Sequence, residues 1–240
     1  MISSGEDSIC RIRVLVIGFE REIRESEIRF FRGAVSDIAG PEHVLFHNHL
    51  RDGYRYRYPL IQYKTWSHRP MIVCINEGVD EVHHFFEHKR GNLILGNREY
   101  DLQVARISLN RFTMQTWDKT FRYTLYNWLP LNQNNYKTFK EITGEQEKRV
   151  FLERVLTGNI LSMAKGIGWW VQKEKLKVSI PELHDPYVLK VKGVLREAYT
   201  LEFHTNAFLP DFIGLGKNAS LGFGKVKSNR RKKNDEVEDK

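Results

Sequence analysis

Three histidines, His43, His47 and His49, fall within seven residues of one another. Imidazole titrates near neutrality, so two such rings at one site can hold a general base and a general acid at the same pH. The same residues have other uses. His47-Asn48-His49 offers two imidazoles to a metal, but no cysteine set accompanies them and Asp52 is the nearest acid, a poor start for zinc. His-Asn-His here also lacks the ββα-metal hairpin that a nuclease of that nickname needs. Structural or surface roles stay open. Just downstream, Arg51 to Tyr58 alternates aromatic and basic residues. On a strand, Tyr54, Tyr56 and Tyr58 share one face while Arg55 and Arg57 take the other. Rings can stack on unpaired bases while guanidiniums meet phosphates, although an amphipathic edge strand with solvated arginines has the same pattern.

RNA supplies its own nucleophile for such chemistry. A base removes the 2′-hydroxyl proton, the oxygen attacks the adjacent phosphorus, and an acid protonates the departing 5′-oxygen; cations stabilise the charge that builds up. His47 or His49, a tyrosine hydroxyl such as Tyr56, and Lys64 or Arg51 make a sufficient set.

A second constellation lies near the C-terminus. Gly214, Gly216, Gly222 and Gly224 bracket Lys217, Asn218 and Ser220, and Lys225 follows. Paired G-x-G units let successive N–H groups face one anion, and lysines add attraction for a phosphate backbone. The spacing excludes a triphosphate P-loop, because Lys225 is followed by Val226 and Ala219 stands where the first glycine belongs. A dinucleotide fold would need a helix after the glycines, whereas Phe223 to Val226 reads as a last short strand before a charged tail. A hairpin with glycines at its turns is the plainer alternative. His84 and His88, one helical turn apart, read as a polar helix face, and of Trp169 and Trp170 one ring is expected in the core and one partly exposed.

The elements that must position these residues follow from periodicity. Residues 11–19 read as a strand, and Ile28, Phe31, Val35 and Ile38 mark a helix over 24–39 that Gly40-Pro41 ends. Strands are expected at 54–64, 71–75 and 93–107, with a helix at 78–90. The order β-α-β-β-α-β is a ferredoxin-like unit. A second copy is expected from strands at 109–117 and 120–129, a helix at 143–165, and strands at 169–180 and 187–206, with its second helix missing or degenerate. The fold class is therefore α+β: two tandem ferredoxin-like (RRM-like) domains, the second degenerate and carrying the glycine-rich loop. The expected divisions are 1–108, 109–228 and a disordered charged tail, 229–240.

Composition fits this reading. The net charge is +8, and the stretch 228–240, with five basic and four acidic side chains, accounts for little of it. The excess lies in the body, as a polyanion-binding surface requires. Cys10 and Cys74 read as reduced thiols. No signal region or membrane-spanning run is present, so the expected location is the cytoplasm.

A ferredoxin-like pair, a histidine loop after the first helix and a terminal G-x-G-x5-G-x-G loop together resemble the CRISPR repeat-processing endoribonucleases of the RAMP superfamily, in the branch with two histidines one residue apart before a tyrosine. The resemblance implies a metal-independent cut in precursor repeat RNA, leaving a 2′,3′-cyclic phosphate and a 5′-hydroxyl, with no cofactor. It implies His47 and His49 as the acid–base pair and Tyr56 as the supporting hydroxyl. Arg51, Arg55, Arg57, Lys64, Gly214, Gly216, Lys217, Gly222, Gly224 and Lys225 are the expected RNA contacts. The expected partner is CRISPR precursor RNA, with a homodimer and a CRISPR interference complex as further candidates. A non-catalytic guide-RNA-binding subunit of such a complex is the rival reading. His43 has no counterpart in the family pattern.

Overall fold

The computed structural model describes residues 9–47, 49–50, 53–54 and 58–229, with residues 49, 50, 53 and 54 described by backbone alone. Strand β1 (Cys10–Phe19) alternates Ile12 and Val14 on one face with Leu15, Ile17 and Phe19 on the other, and both sets are buried. Helix α1 (Ile28–Ala39) buries Ile28, Phe31, Val35 and Ala39, one stripe at three- and four-residue spacing. Gly40, at φ +102, ends it. A short helix α2 (Val44–His47) follows, then a two-residue ladder in which β2 (His49–Leu50) pairs β3 (Gly53–Tyr54). The strand expected over 54–64 is thus interrupted: β4 is Ile61–Trp66.

Ser67 and His68, both at positive φ, turn β4 tightly into β5 (Arg69–Ile75). The helix expected at 78–90 comes in two pieces, α3 (Glu77–Glu81) and α4 (His83–His88). The strand expected at 93–107 is a small hairpin, β6 (Leu93–Leu95) with β7 (Arg98–Tyr100), followed by β8 (Val104–Met114). The division expected at residue 108 therefore falls inside β8, which pairs with β1 along its length. The four-stranded sheet has the order β4-β5-β1-β8, all antiparallel, which is the ferredoxin-like arrangement.

The second half repeats that order. Strand β9 (Thr116–Trp128) leads into α5 (Gln133–Glu141) and α6 (Glu145–Gly166), then β10 (Val178–Ser179), β11 (Tyr187–Val191), β12 (Val194–Ala207) and β13 (Lys225–Ser228). The sheet order is β10-β12-β9-β13, with β11 as a hairpin arm on β12. Helix α5 has no counterpart in the sequence reading. Its signal is Asn132, which accepts from the amides of Asn134 and Asn135 while Asn135 reaches back to the Asn132 amide. The strand expected at 169–180 is mostly irregular; Trp169 is in the core and Trp170 is two-thirds exposed. No helix lies between β12 and β13, so the second unit is the degenerate one, and the glycine-rich loop takes the place of its last crossover.

The first sheet is covered on both faces. Leu15, Ile17, Ile72 and Cys74 pack with Phe31 and Val35 of α1 in one core. Ile12, Val14, Met71, Val73 and Ile75 join a larger core with Leu125, Leu152, Leu156, Ile160 and Leu201 of the second half. The two halves thus share one apolar interior.

Candidate active site

Strand β4 is one edge of the first sheet, and both motifs singled out in the sequence are tied to it. Tyr63 is its key residue. Its ring is wholly buried between α1 and the sheet, and its hydroxyl donates to the Phe46 carbonyl in α2 (3.1 Å). Its backbone N–H donates to the Ser220 carbonyl of the glycine loop (2.8 Å), and Tyr63 forms a parallel bridge with Leu221. One residue therefore fixes the helix bearing His47 through its side chain and the glycine loop through its main chain.

Helix α2 is too short to hold itself, so α1 supports it. Ser36 donates to the Phe46 carbonyl (3.1 Å), and the Arg32 guanidinium donates to the carbonyl of His47. Burial lowers the pKa of Arg32, yet its charge remains spent on that carbonyl. The sequence reading missed Arg32 because a basic residue on a helix reads as a solvated one. The His47 ring is partly exposed, and its Nε2 donates to the Pro41 carbonyl (3.1 Å), which places the lone pair of the neutral ring on Nδ1. His49 stands opposite Tyr54 in the β2–β3 ladder, so the chain reverses directly after His47. The His49 side chain and Arg51, Arg55, Tyr56 and Arg57 lie outside the described residues.

The glycine loop is tightly packed against β4. Gly214 donates its amide to Gln62 Oε1 (2.9 Å) and accepts at its carbonyl from the Tyr58 hydroxyl (2.8 Å). The amides of Leu215, Leu221 and Gly224 are also bound within the protein. These N–H groups are thus not part of an anion nest. The glycines are there for close approach. A Cβ at Gly224, where φ is +59, would sit 1.9 Å from the Leu215 carbonyl oxygen, and one at Gly214 would meet the Lys64 ammonium at 2.5 Å. Gly216 and Gly222 are half-buried, both at positive φ.

The lysines divide by burial. Lys64 is fully buried and its ammonium donates to the Ala219 carbonyl, clamping the loop onto β4. Lys225 is buried too, donating to the Thr65 carbonyl with its charge over the rings of Trp66 and Tyr126. Desolvation lowers the pKa of both, most strongly for Lys64, which Lys225 also repels. As arranged here they hold the loop together and do not face solvent. Lys217, at the loop's tip, is exposed.

Residues 10–113 match the Cas6b N-terminal domain, and residues 115–229 match the Cas6b C-terminal domain. The chain belongs to the Cas6b family of CRISPR repeat-processing endoribonucleases. A crystal structure of Cas6b matches 91% of this chain and 100% of its own at 28% identity, with a TM-score of 0.77. Another, of the CRISPR RNA processing endoribonuclease Cas6b, covers the same shares at 25% identity and a TM-score of 0.70. An uncharacterized protein of Methanocaldococcus jannaschii is 34% identical over 146 residues, which are 57% of this chain and 96% of that protein. The seam between the two Cas6b domains falls at residue 114, where β8 ends and β9 begins.

In this Cas6b-family chain two further cations lie near the tip of the glycine loop. The pKa of Lys217 is lowered by partial desolvation and by repulsion from Arg196 and Lys192. Cations drawn from the loop, the β11–β12 turn and β12 are thus near enough to one another to repel. Lys192 and Arg196 were not legible as site residues, because strands distant in sequence bring them beside Lys217. No helix among the described residues is long and apolar enough to cross a membrane.

Proposed function

We propose that this chain cuts CRISPR precursor RNA within its repeats by attack of a 2′-hydroxyl on the adjacent phosphorus, without a metal ion in the chemistry. The 2′-oxygen–phosphorus bond forms as the bond to the 5′-oxygen breaks. One imidazole takes the 2′-hydroxyl proton and the other donates a proton to the leaving oxygen, giving a 2′,3′-cyclic phosphate and a 5′-hydroxyl. His47 and His49 fill the two roles, and Tyr56 supplies a hydroxyl to the charged phosphorane. The observation that carries the reading is the double anchoring at Tyr63, which ties the His47 helix and the glycine loop to one strand inside a Cas6b-family fold. RNA backbone then runs along Lys217, Lys192 and Arg196 with Arg51, Arg55 and Arg57 as further contacts.

The test is cleavage of the cognate repeat RNA in EDTA by wild type and by the double variant His47→Ala, His49→Ala, beside a substrate with one 2′-deoxy nucleotide at the cut. Cutting by wild type alone, blocked by the deoxy substitution, is expected. The variant should lose about 10²–10⁴-fold in rate while binding RNA as before. Tight binding without cleavage by wild type would overturn the reading in favour of a guide-RNA-binding subunit.

A further inference from the structure

His43, left over by the proposed chemistry, packs against the helix pair α3–α4. Its Nδ1 lies 3.0 Å from Glu81 Oε2, and its ring stacks on that of His84 at a centroid distance of 3.8 Å. One ligand atom from each of His43, Glu81 and His84 can be chosen so that all three lie within 4.8 Å of one another. The side chains are 17%, 35% and 27% exposed, sheltered yet open to an ion. We propose that His43, Glu81 and His84 form a binding site for a late first-row divalent ion such as zinc, cobalt or nickel.

Two imidazoles and one carboxylate suit these ions better than magnesium or calcium, which prefer oxygen donors. Tetrahedral zinc with bonds of about 2.0–2.2 Å needs ligand atoms roughly 3.4 Å apart. Because the two ring planes are only 29° apart, binding requires the rings to swing out of their stack until both lone pairs meet at one point, with a solvent molecule in the fourth position. Outer partners are already in place. Glu42 Oε1 is 3.7 Å from His43 Nε2 and Glu87 Oε2 is 3.7 Å from His84 Nδ1, so each imidazole has a carboxylate beside one nitrogen. Such carboxylate–imidazole pairs orient metal-bound rings and raise their basicity. Glu42, Glu81 and Glu87 also gather negative charge around the two rings, which favours a cation.

The ion would sit at the root of the histidine loop. His43 directly precedes α2, and His84 and Glu81 belong to the second crossover of the first unit. Binding therefore ties the start of the His47 helix to α3–α4. It takes no part in bond breaking, so cutting in EDTA is compatible with it. Only this consequence for His47 rests on the function proposed above; the binding itself does not.

The test uses full-length protein without an affinity tag, stripped with chelator and dialysed. Cobalt is followed by visible absorption and zinc by calorimetry, with no RNA present. One equivalent should bind, with Tm rising by about 5 °C at a hundredfold excess over Kd. Amide exchange at Val44–His47 should slow on loading. His43→Gln with His84→Gln, which keeps polar groups of similar size, should weaken binding more than tenfold and remove the Tm rise. His47→Ala should bind as wild type does, whatever becomes of its cleavage. Equal affinity in wild type and the double glutamine variant would overturn the site, as would wild-type binding no tighter than millimolar.

Discussion

Lys64 shows how far a side chain's setting can depart from its type. In the sequence it is a cation beside an aromatic strand, and in the fold its ammonium is sealed beneath the glycine loop on the Ala219 carbonyl. Burial, reinforced by Lys225, lowers its pKa in the folded state below the ordinary lysine value kept in the unfolded chain. Between those two values the unfolded chain holds more protons, so the Lys64 contribution improves as pH rises through that window. The penalty for a buried charge is complete below it. Lys64→Met removes this dependence. Any stability advantage of the variant over wild type should therefore shrink from neutral to alkaline pH, read as the difference in Tm across a pH series. A constant difference would show that Lys64 releases no proton on folding. Two other side chains were equally hidden from a residue-by-residue reading. Arg32 supports the His47 carbonyl, and His43 faces Glu81 and His84.

The glycine loop is the element whose sequence spoke most clearly and was most incompletely understood. Its glycines were expected to bare N–H groups to an anion, but they mark close approaches to β4, β9 and the loop's own carbonyls, while the exposed tip is left to Lys217. The positions differ in what they tolerate. Gly224→Ala places a methyl 1.9 Å from the Leu215 oxygen at φ +59, and should cost about 3 kcal/mol with loss of RNA binding. Gly222→Ala meets nothing closer than the Tyr63 oxygen at 3.9 Å, and only its positive φ is penalised, by about 1–2 kcal/mol. Urea unfolding of the two variants measures the gap. Equal costs would mean that the loop repacks away from β4. Elements with strong periodicity, β1 and α1, were legible at once, whereas the single strand expected over 187–206 is a hairpin of β11 and β12, reversed at Lys192 and Gly193, both at positive φ. The short β2–β3 and β6–β7 ladders were not, because two or three residues carry no period.

At the scale of the molecule, the two ferredoxin-like units share an interior. Ile12, Val14, Met71, Val73 and Ile75 of the first sheet belong to the same core as Leu125, Leu156 and Ile160. Exposing those five side chains would forfeit about 10 kcal/mol, comparable with the whole stability of a domain. The chain should therefore unfold in urea as one transition, with fluorescence and circular dichroism coincident. A fragment ending at Met114 should aggregate or remain unfolded. A soluble, cooperatively folded fragment would show that the shared core is dispensable to the first unit.

The sequence by itself determined the two-unit α+β plan, the missing last helix of the second unit, and the family to which its histidine and glycine loops pointed. These rest on local period and on residue types with narrow uses: glycine where the backbone must approach closely, and paired imidazoles where protons can move. Tertiary structure alone decided which cations face solvent, that Tyr63 joins the His47 helix to the glycine loop, and that Lys192 and Arg196 come near enough to repel Lys217. Burial and charge proximity are set by contacts between residues far apart in the chain, and no local pattern encodes them.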